Sequence, residues 1–244
     1  MIANDQPTCF PGSLLVRVSS KDDGSMLDRA LGTHDSATVG RRTAFCASIG
    51  VDYQGTVYQR IVYQDNRTYH LIAEVDGASV TSVTPEVVAD SLYTTTPGVA
   101  LFLPVADCAA TVLYDPVKRA IATAHLGRHS TYARLADHLV RHFVANGSSP
   151  ADLIVWMSPH AQKDSYTLDW FDRSDNPDWQ GFYEQKADGV HIDLAGFNRR
   201  CLEQQGVQAR NIYVSSVDTM ARTDYFSHRA GDHGGRIAVV AQMQ

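Results

Sequence analysis

One stretch restricts the fold of this chain more than any other. It reads Asp107-Cys108-Ala-Ala-Thr-Val-Leu-Tyr-Asp115-Pro116-Val117-Lys118-Arg119-Ala-Ile-Ala-Thr-Ala-His125. Two apolar runs flank Asp115-Pro116, and Asp followed by Pro favours the first two positions of a type I turn. The spacing therefore predicts a β-hairpin. A two-residue loop pairs Asp115 with Lys118, and a four-residue loop pairs Tyr114 with Arg119. Both continue into one ladder, in which Cys108 stands directly opposite His125. Side chains so placed have Cβ atoms roughly 4.5–5.5 Å apart. A slip of one residue would send one of them to the other face. A thiol beside an imidazole forms a nucleophilic pair, or supplies two of three ligands to a catalytic zinc with one open position. The spacing leaves both chemistries open. It also leaves open a plainly structural role, a small buried thiol and a hydrogen-bonded histidine. Gly127, just beyond His125, permits a close backbone approach.

Charge and composition narrow the function classes. The 244 residues carry 21 Lys and Arg against 27 Asp and Glu, a net charge of −6. An acidic chain without a basic block is poorly suited to nucleic acid, whose phosphates need clustered cations. The 44% hydrophobic content is that of a globular protein, and the length suffices for a real core. The N-terminus has no basic region followed by a long apolar stretch, so no signal peptide is expected. The most apolar stretch, Gly98 to Tyr114, is interrupted by Pro104 and Asp107, which argues against a membrane partner. Cysteines at 9, 46, 108 and 201 form no CxxC pair, so neither a disulfide framework nor a zinc ribbon is expected. A reduced, cytoplasmic setting is the expectation.

Three helices are predicted. Asp35 or Ser36 caps the first, which runs toward Gly50 with Val39, Thr43, Cys46 and Ile49 on one face. Ser130 caps the second, whose stripe is Leu135, Ala136, Leu139, Val140, Phe143 and Val144, and Asn146-Gly147 ends it. The third starts at Asp193, turns Leu194, Phe197, Cys201 and Leu202 inward, and ends at Gly206. Strands are expected at 57–63, 69–75, 99–105, 110–114, 120–124, 153–157, 212–215 and 236–241, and a long surface loop at 171–185. Because strands and helices do not alternate strictly, the fold class is α+β: one layered domain over residues 1–244, with mixed β-sheets flanked by helices.

Several motifs together resemble the laccase-domain family, whose members are also described as polyphenol oxidoreductases, purine nucleoside phosphorylases and peptidoglycan editing factors. They are Thr96-Pro97-Gly98-Val99-Ala100-Leu101, Ala106-Asp107-Cys108, Leu113-Tyr114-Asp115-Pro116 and Ala124-His125-x-Gly127. Gly40-Arg41-Arg42, Ala89-Asp90-Ser91-Leu92, His191-x-Asp193-Leu194 and Phe226-Ser227-His228-Arg229 extend the match from about Gly24 to the C-terminus. The resemblance implies a fold related to a cysteine-dependent toxin deamidase. It implies a zinc held by a His, a Cys and a second His, of which Cys108 and His125 match the last two. The first ligand falls at Tyr63 in the best register, with His70 seven residues later as the other candidate. A neutral phenol is a far weaker zinc ligand than an imidazole.

The resemblance makes purine nucleoside phosphorolysis the leading expectation, acting on adenosine or inosine with adenosine deamination beside it. Nucleoside and phosphate are the expected partners, and a monomer or weak homodimer the expected assembly. Cys108 and His125 are the candidate catalytic residues. Phosphorolysis needs cations for the phosphate and a group for the leaving purine. Arg42, Arg128 and Arg229 are the candidates for the first, and Asp90 or His125 for the second. Tyr63 favours two alternatives: a metal-free Cys–His hydrolase or amidase of the peptidoglycan-editing kind, and a catalytically degenerate relative that only binds. Zinc is the one cofactor expected, with no nucleotide cofactor. Copper finds no support, since the sequence has no His-x-His pair.

Overall fold

The computed structural model describes residues 5–28, 32, 34–62, 70–80 and 86–244, with the backbone alone at residue 70. In chain order the elements are β1 (Leu14–Val18), α1 (Ser36–Ser48), β2 (Thr56–Arg60), β3 (His70–Glu74), β4 (Glu86–Thr94), β5 (Ala100–Val105), β6 (Ala109–Asp115) and β7 (Ala120–Leu126). There follow α2 (Arg128–Tyr132), α3 (Leu135–Ala145), β8 (Ile154–Met157), β9 (Thr167–Leu168), β10 (Tyr183–Lys186), β11 (Gly189–Ile192), α4 (Leu194–Gln204), β12 (Ile212–Val214) and β13 (Ile237–Met243). A ten-stranded sheet has the order β1-β13-β5-β2-β4-β7-β6-β8-β12, with β3 also paired to β4. A second sheet is β10-β11-β9. Parallel and antiparallel pairs mix, so the α+β reading holds in its coarse form.

The hairpin β6–β7 lies at the centre, and every residue of both strands is buried. That explains its continuous Val, Leu, Ile and Ala runs, because a strand covered on both faces has no polar side to alternate with. On one face Leu113, Ala122 and Ala124 pack with Leu135, Leu139 and Phe143 of α3 and Phe197 and Leu202 of α4. On the other, Val112, Tyr114 and Ile121 share a core with Val16, Leu101, Leu103 and Val239 from β1, β5 and β13. The sheet therefore curls so that its two halves face each other. Helix α1 covers the far side of the second half with Phe45 and Cys46, which pack with Phe102 of β5 and Val240 of β13.

Several expectations need correction. The hairpin pairs Asp115 with Ala120 and Ala110 with His125, so Cys108 does not stand opposite His125. The turn is four residues long, 116–119. Asp115 Oδ1 accepts from the N–H groups of Val117 and Lys118, and Arg119 closes the loop with a left-handed φ of 53°. The ladder is displaced by two residues, and an even displacement leaves every side chain on its face. The second helix is two: Arg134, at φ 58°, separates α2 from α3. Ser130 lies inside α2, not at a cap. Val144 is 46% exposed and leaves the stripe. On α1 the inward residues are Thr38, Arg42, Phe45 and Cys46, while Thr43 faces out. The segment 171–185 is not all surface loop, because Phe171 and Trp179 are buried and Trp179 stacks on Phe197 at 3.8 Å between centroids. No helix among the described residues is long and apolar enough to cross a membrane.

Candidate active site

His125 is the penultimate residue of β7, and β4 runs antiparallel beside it with Ser91 paired to Ala124. One step along that ladder brings Asp90 next to His125. The contact is a hydrogen bond of 3.1 Å from His125 Nδ1 to Asp90 Oδ1. Both groups are enclosed, His125 at 3% and Asp90 at 1% exposure. With Nδ1 held by the carboxylate, the Nε2 edge of the ring points the other way.

Cys108 lies in the link between β5 and β6, and its sulfur accepts a hydrogen bond from the His125 ring. The two side chains converge over Gly127. A Cβ built on Gly127 would lie 2.7 Å from Cys108 Sγ, 3.0 Å from His125 Cε1 and 3.1 Å from Nε2. Only glycine leaves room there. The hydroxyl of Ser130 fixes this corner by donating to the His125 carbonyl and accepting from the Gly127 N–H at 3.0 Å. Cys108 and His125 thus meet, but as diagonal neighbours; Ala110 faces His125 across the hairpin, and Asp90 of β4 holds its ring from the other side.

Burial works against charge on His125. The Cys108 sulfur and the Asp90 carboxylate outweigh it and raise the imidazole pKa to about 10. Both neighbours thus favour the charged form of the ring.

Cys108 and His125 open on a cleft of about 1240 Å³. Arg60, Arg128, Arg229 and Arg236 contribute to its wall, as do Tyr132, Tyr166 and Trp170. Trp170 is 73% exposed although it borders the cleft, and neither it nor Tyr166 was singled out by the sequence. The Arg229 guanidinium lies 4.4 Å above the Tyr166 ring. Only Asp107 and Asp172 bring carboxylates to the described wall.

The other expected site residues divide. Arg128 and Arg229 are exposed on the cleft, as a role in anion binding requires. Arg42 is not on the described wall. It is 2% exposed, with Nε donating to the Met26 carbonyl at 2.6 Å and its guanidinium 4.2 Å over the Tyr58 ring. Asp90 is also off the wall and engages His125, so its place is behind the imidazole, not against a purine. Tyr63 lies outside the described residues, and so does the side chain of His70; the His70 backbone opens β3 beside Ala89. Cys108 and His125 are a donor pair suited to zinc. No group of three or more His, Cys, Asp or Glu side chains that could hold a metal occurs among the described residues.

Comparison with known proteins gives this geometry a context. A purine nucleoside phosphorylase of Deinococcus radiodurans is 31% identical over 158 residues, 62% of this chain and 60% of that relative. The chain thus matches less than two thirds of that protein. A purine nucleoside phosphorylase of Streptomyces coelicolor is 28% identical over 214 residues, 87% of this chain and 85% of the relative. The crystal structure of YlmD from Geobacillus stearothermophilus shares the fold with a TM-score of 0.81 at 24% identity, covering 98% of this chain and 94% of that one. Residues 23–244 match the family described as multi-copper polyphenol oxidoreductase laccase, and this chain belongs to it.

Proposed function

We propose that this protein cleaves purine nucleosides with phosphate, and that the reaction is centred on Cys108, His125 and Asp90. The observation that carries the reading is the line Asp90–His125–Cys108 opening into an arginine-walled cleft. The relatives named purine nucleoside phosphorylase support the same choice. Loss of a purine from C1′ is driven by protonating or hydrogen-bonding the base as it departs, and by holding the attacking anion in line. His125, kept charged by its neighbours, donates the proton. Asp90 fixes the ring so that its Nε2 edge faces the cleft side. Arg229 and Arg128 hold the phosphate, and Trp170 and Tyr166 offer faces on which a purine stacks. Adenosine and inosine are the substrates to test first. Adenosine deamination is the side reaction to look for.

A second reading is favoured by the Cys–His–Asp order itself, which is that of an activated thiol nucleophile with a base and an orienting carboxylate. In that case Cys108 attacks a carbonyl, and the protein is an amidase or hydrolase that needs no phosphate. Zinc enters either reading only if residues 63–70 supply a third donor to Cys108 and His125, and no step here is assigned to it.

Product analysis separates these readings. Phosphorolysis yields free base and ribose 1-phosphate from inosine and phosphate, and both products vanish in Cys108→Ala and His125→Gln. Free ribose formed without phosphate points to hydrolysis. No product, with nucleoside binding intact, points to a relative that only binds. Metal analysis of the same preparations tests zinc: about one per chain, lost in Cys108→Ala, supports the three-ligand site, and near-zero content after expression with zinc ends it.

A further inference from the structure

Asp107 immediately precedes the Cys108 thiol and holds a left-handed backbone, with φ at 66°. A residue with a Cβ pays about 1–2 kcal/mol for that conformation, so its surroundings must hold it there. Three bonds do so. The Asp107 carbonyl accepts from the Ala161 N–H at 2.9 Å. Its Oδ1 accepts from Thr219 Oγ1 at 2.8 Å, and its Oδ2 accepts from the Arg229 backbone N–H at 2.9 Å. Both carboxylate oxygens are thus engaged by one stretch of chain, the irregular segment between β12 and β13.

That segment brings Arg229 to the cleft. Its Nη1 donates to the Thr167 carbonyl at 2.7 Å, and the guanidinium covers Tyr166. Arg229 is exposed, so these contacts alone hold it weakly. The charge-assisted bond from its own backbone to Asp107 is the contact that ties it to the residue next to the thiol.

We propose that Asp107 is a positioning residue, a latch that fastens the Arg229 segment to the Cys108 loop so that cation and thiol face one anionic ligand together. The proposal rests on the reading of Cys108 as the reactive thiol, but not on which substrate turns over. Its two possible effects have opposite signs. As a bare negative charge beside the thiol, Asp107 repels anions, and neutralising it would speed an anionic reagent. As a latch it brings Arg229 in, and disabling it slows that reagent.

The test is alkylation of Cys108 in the full chain by neutral iodoacetamide and anionic iodoacetate, with the modified site identified by peptide mass. Asp107→Gly removes both acceptors and suits the left-handed backbone. The iodoacetate rate, taken relative to iodoacetamide, is expected to fall about fivefold, the effect of removing one nearby charge in a solvated cleft. Arg229→Met is expected to give the same fall, and Asp107→Gly to add no further fall to it. Thr219→Val, which removes one latch bond and leaves Asp107 intact, is expected to give a smaller fall and guards against a variant that fails to fold. A relative rate that is unchanged or raised in Asp107→Gly overturns the latch, as does a fall that persists in the Arg229→Met background. Cys108 unmodified by either reagent overturns both the latch and the thiol reading. A normal alkylation pattern without purine release refutes nucleoside cleavage and leaves the latch supported.

Discussion

His125 is deeply buried beside two groups that favour its charged form, and that combination has a consequence for stability. Its pKa rises from 6.5 to about 10 in the folded protein. A base whose folded pKa is raised contributes stability that is complete below its unfolded value and is lost as pH climbs through the folded one. The window here is pH 6.5 to about 10. The melting temperature of His125→Gln is therefore expected to lie well below that of the parent at pH 6, with the gap closing toward pH 10. A gap that stays constant would show that the imidazole is not held charged. Gly127 offers a steric test of the same corner. Its φ of −98° suits any residue, so Gly127→Ala adds no backbone strain. The new Cβ would sit 2.7 Å from Cys108 Sγ and wedge the thiol from the imidazole. Activity is expected to fall about a hundredfold or more, because small misplacements at a reacting centre are costly. Stability is expected to fall by only about 1–3 kcal/mol. Full activity in this variant would mean that the two side chains need not touch.

The hairpin β6–β7 determines where these residues land, and its turn can be probed directly. Arg119 closes it at φ 53°, and among the described residues its side chain makes only a surface bond from Nη2 to the Gln244 carbonyl at 2.7 Å. Arg119→Gly is expected to be more stable than Arg119→Val by about 1–2 kcal/mol in denaturant unfolding, since glycine enters the left-handed region freely and valine does not. Equal stability would contradict the observed turn. That turn also explains a misreading from sequence. Without a glycine or asparagine at 119, nothing in the sequence signals the left-handed closure, and turn chemistry alone places the ladder two residues off. The strands themselves were legible, because apolar runs such as Ala120–Leu126 end at turn residues. Strand β4 was not, because it buries Asp90, Ser91 and Thr94 among its apolar residues and so lacks a clean pattern. With β4 unread, the partnership of Asp90 and His125 had no signal. Cys108 and His125 could still be matched by parity along the hairpin. The break between α2 and α3 was hidden for the same reason as the turn, a non-glycine residue, Arg134, in the left-handed region.

Taken as a whole, the chain is acidic, with a net charge of −6, yet four arginines and two carboxylates line the described part of its cleft. A cation-rich hollow in an acidic protein concentrates anions where they are to react. The curled sheet supplies the rigid support: β4, β6 and β7 lie side by side, and the segments after β5, β7 and β12 bring Cys108, Arg128 and Arg229 to one opening. Helix α4 and the stacked pair Trp179 and Phe197 hold the second sheet's surroundings against the same core. A phosphate-dependent cleavage in this opening is the central expectation. The most direct measurement is release of hypoxanthine from inosine by the purified chain, with and without phosphate, beside Cys108→Ala and Asp90→Asn. Release that requires phosphate, vanishes in Cys108→Ala and drops steeply in Asp90→Asn is the expected result. Release that is indifferent to phosphate, or equal in all three proteins, would contradict it.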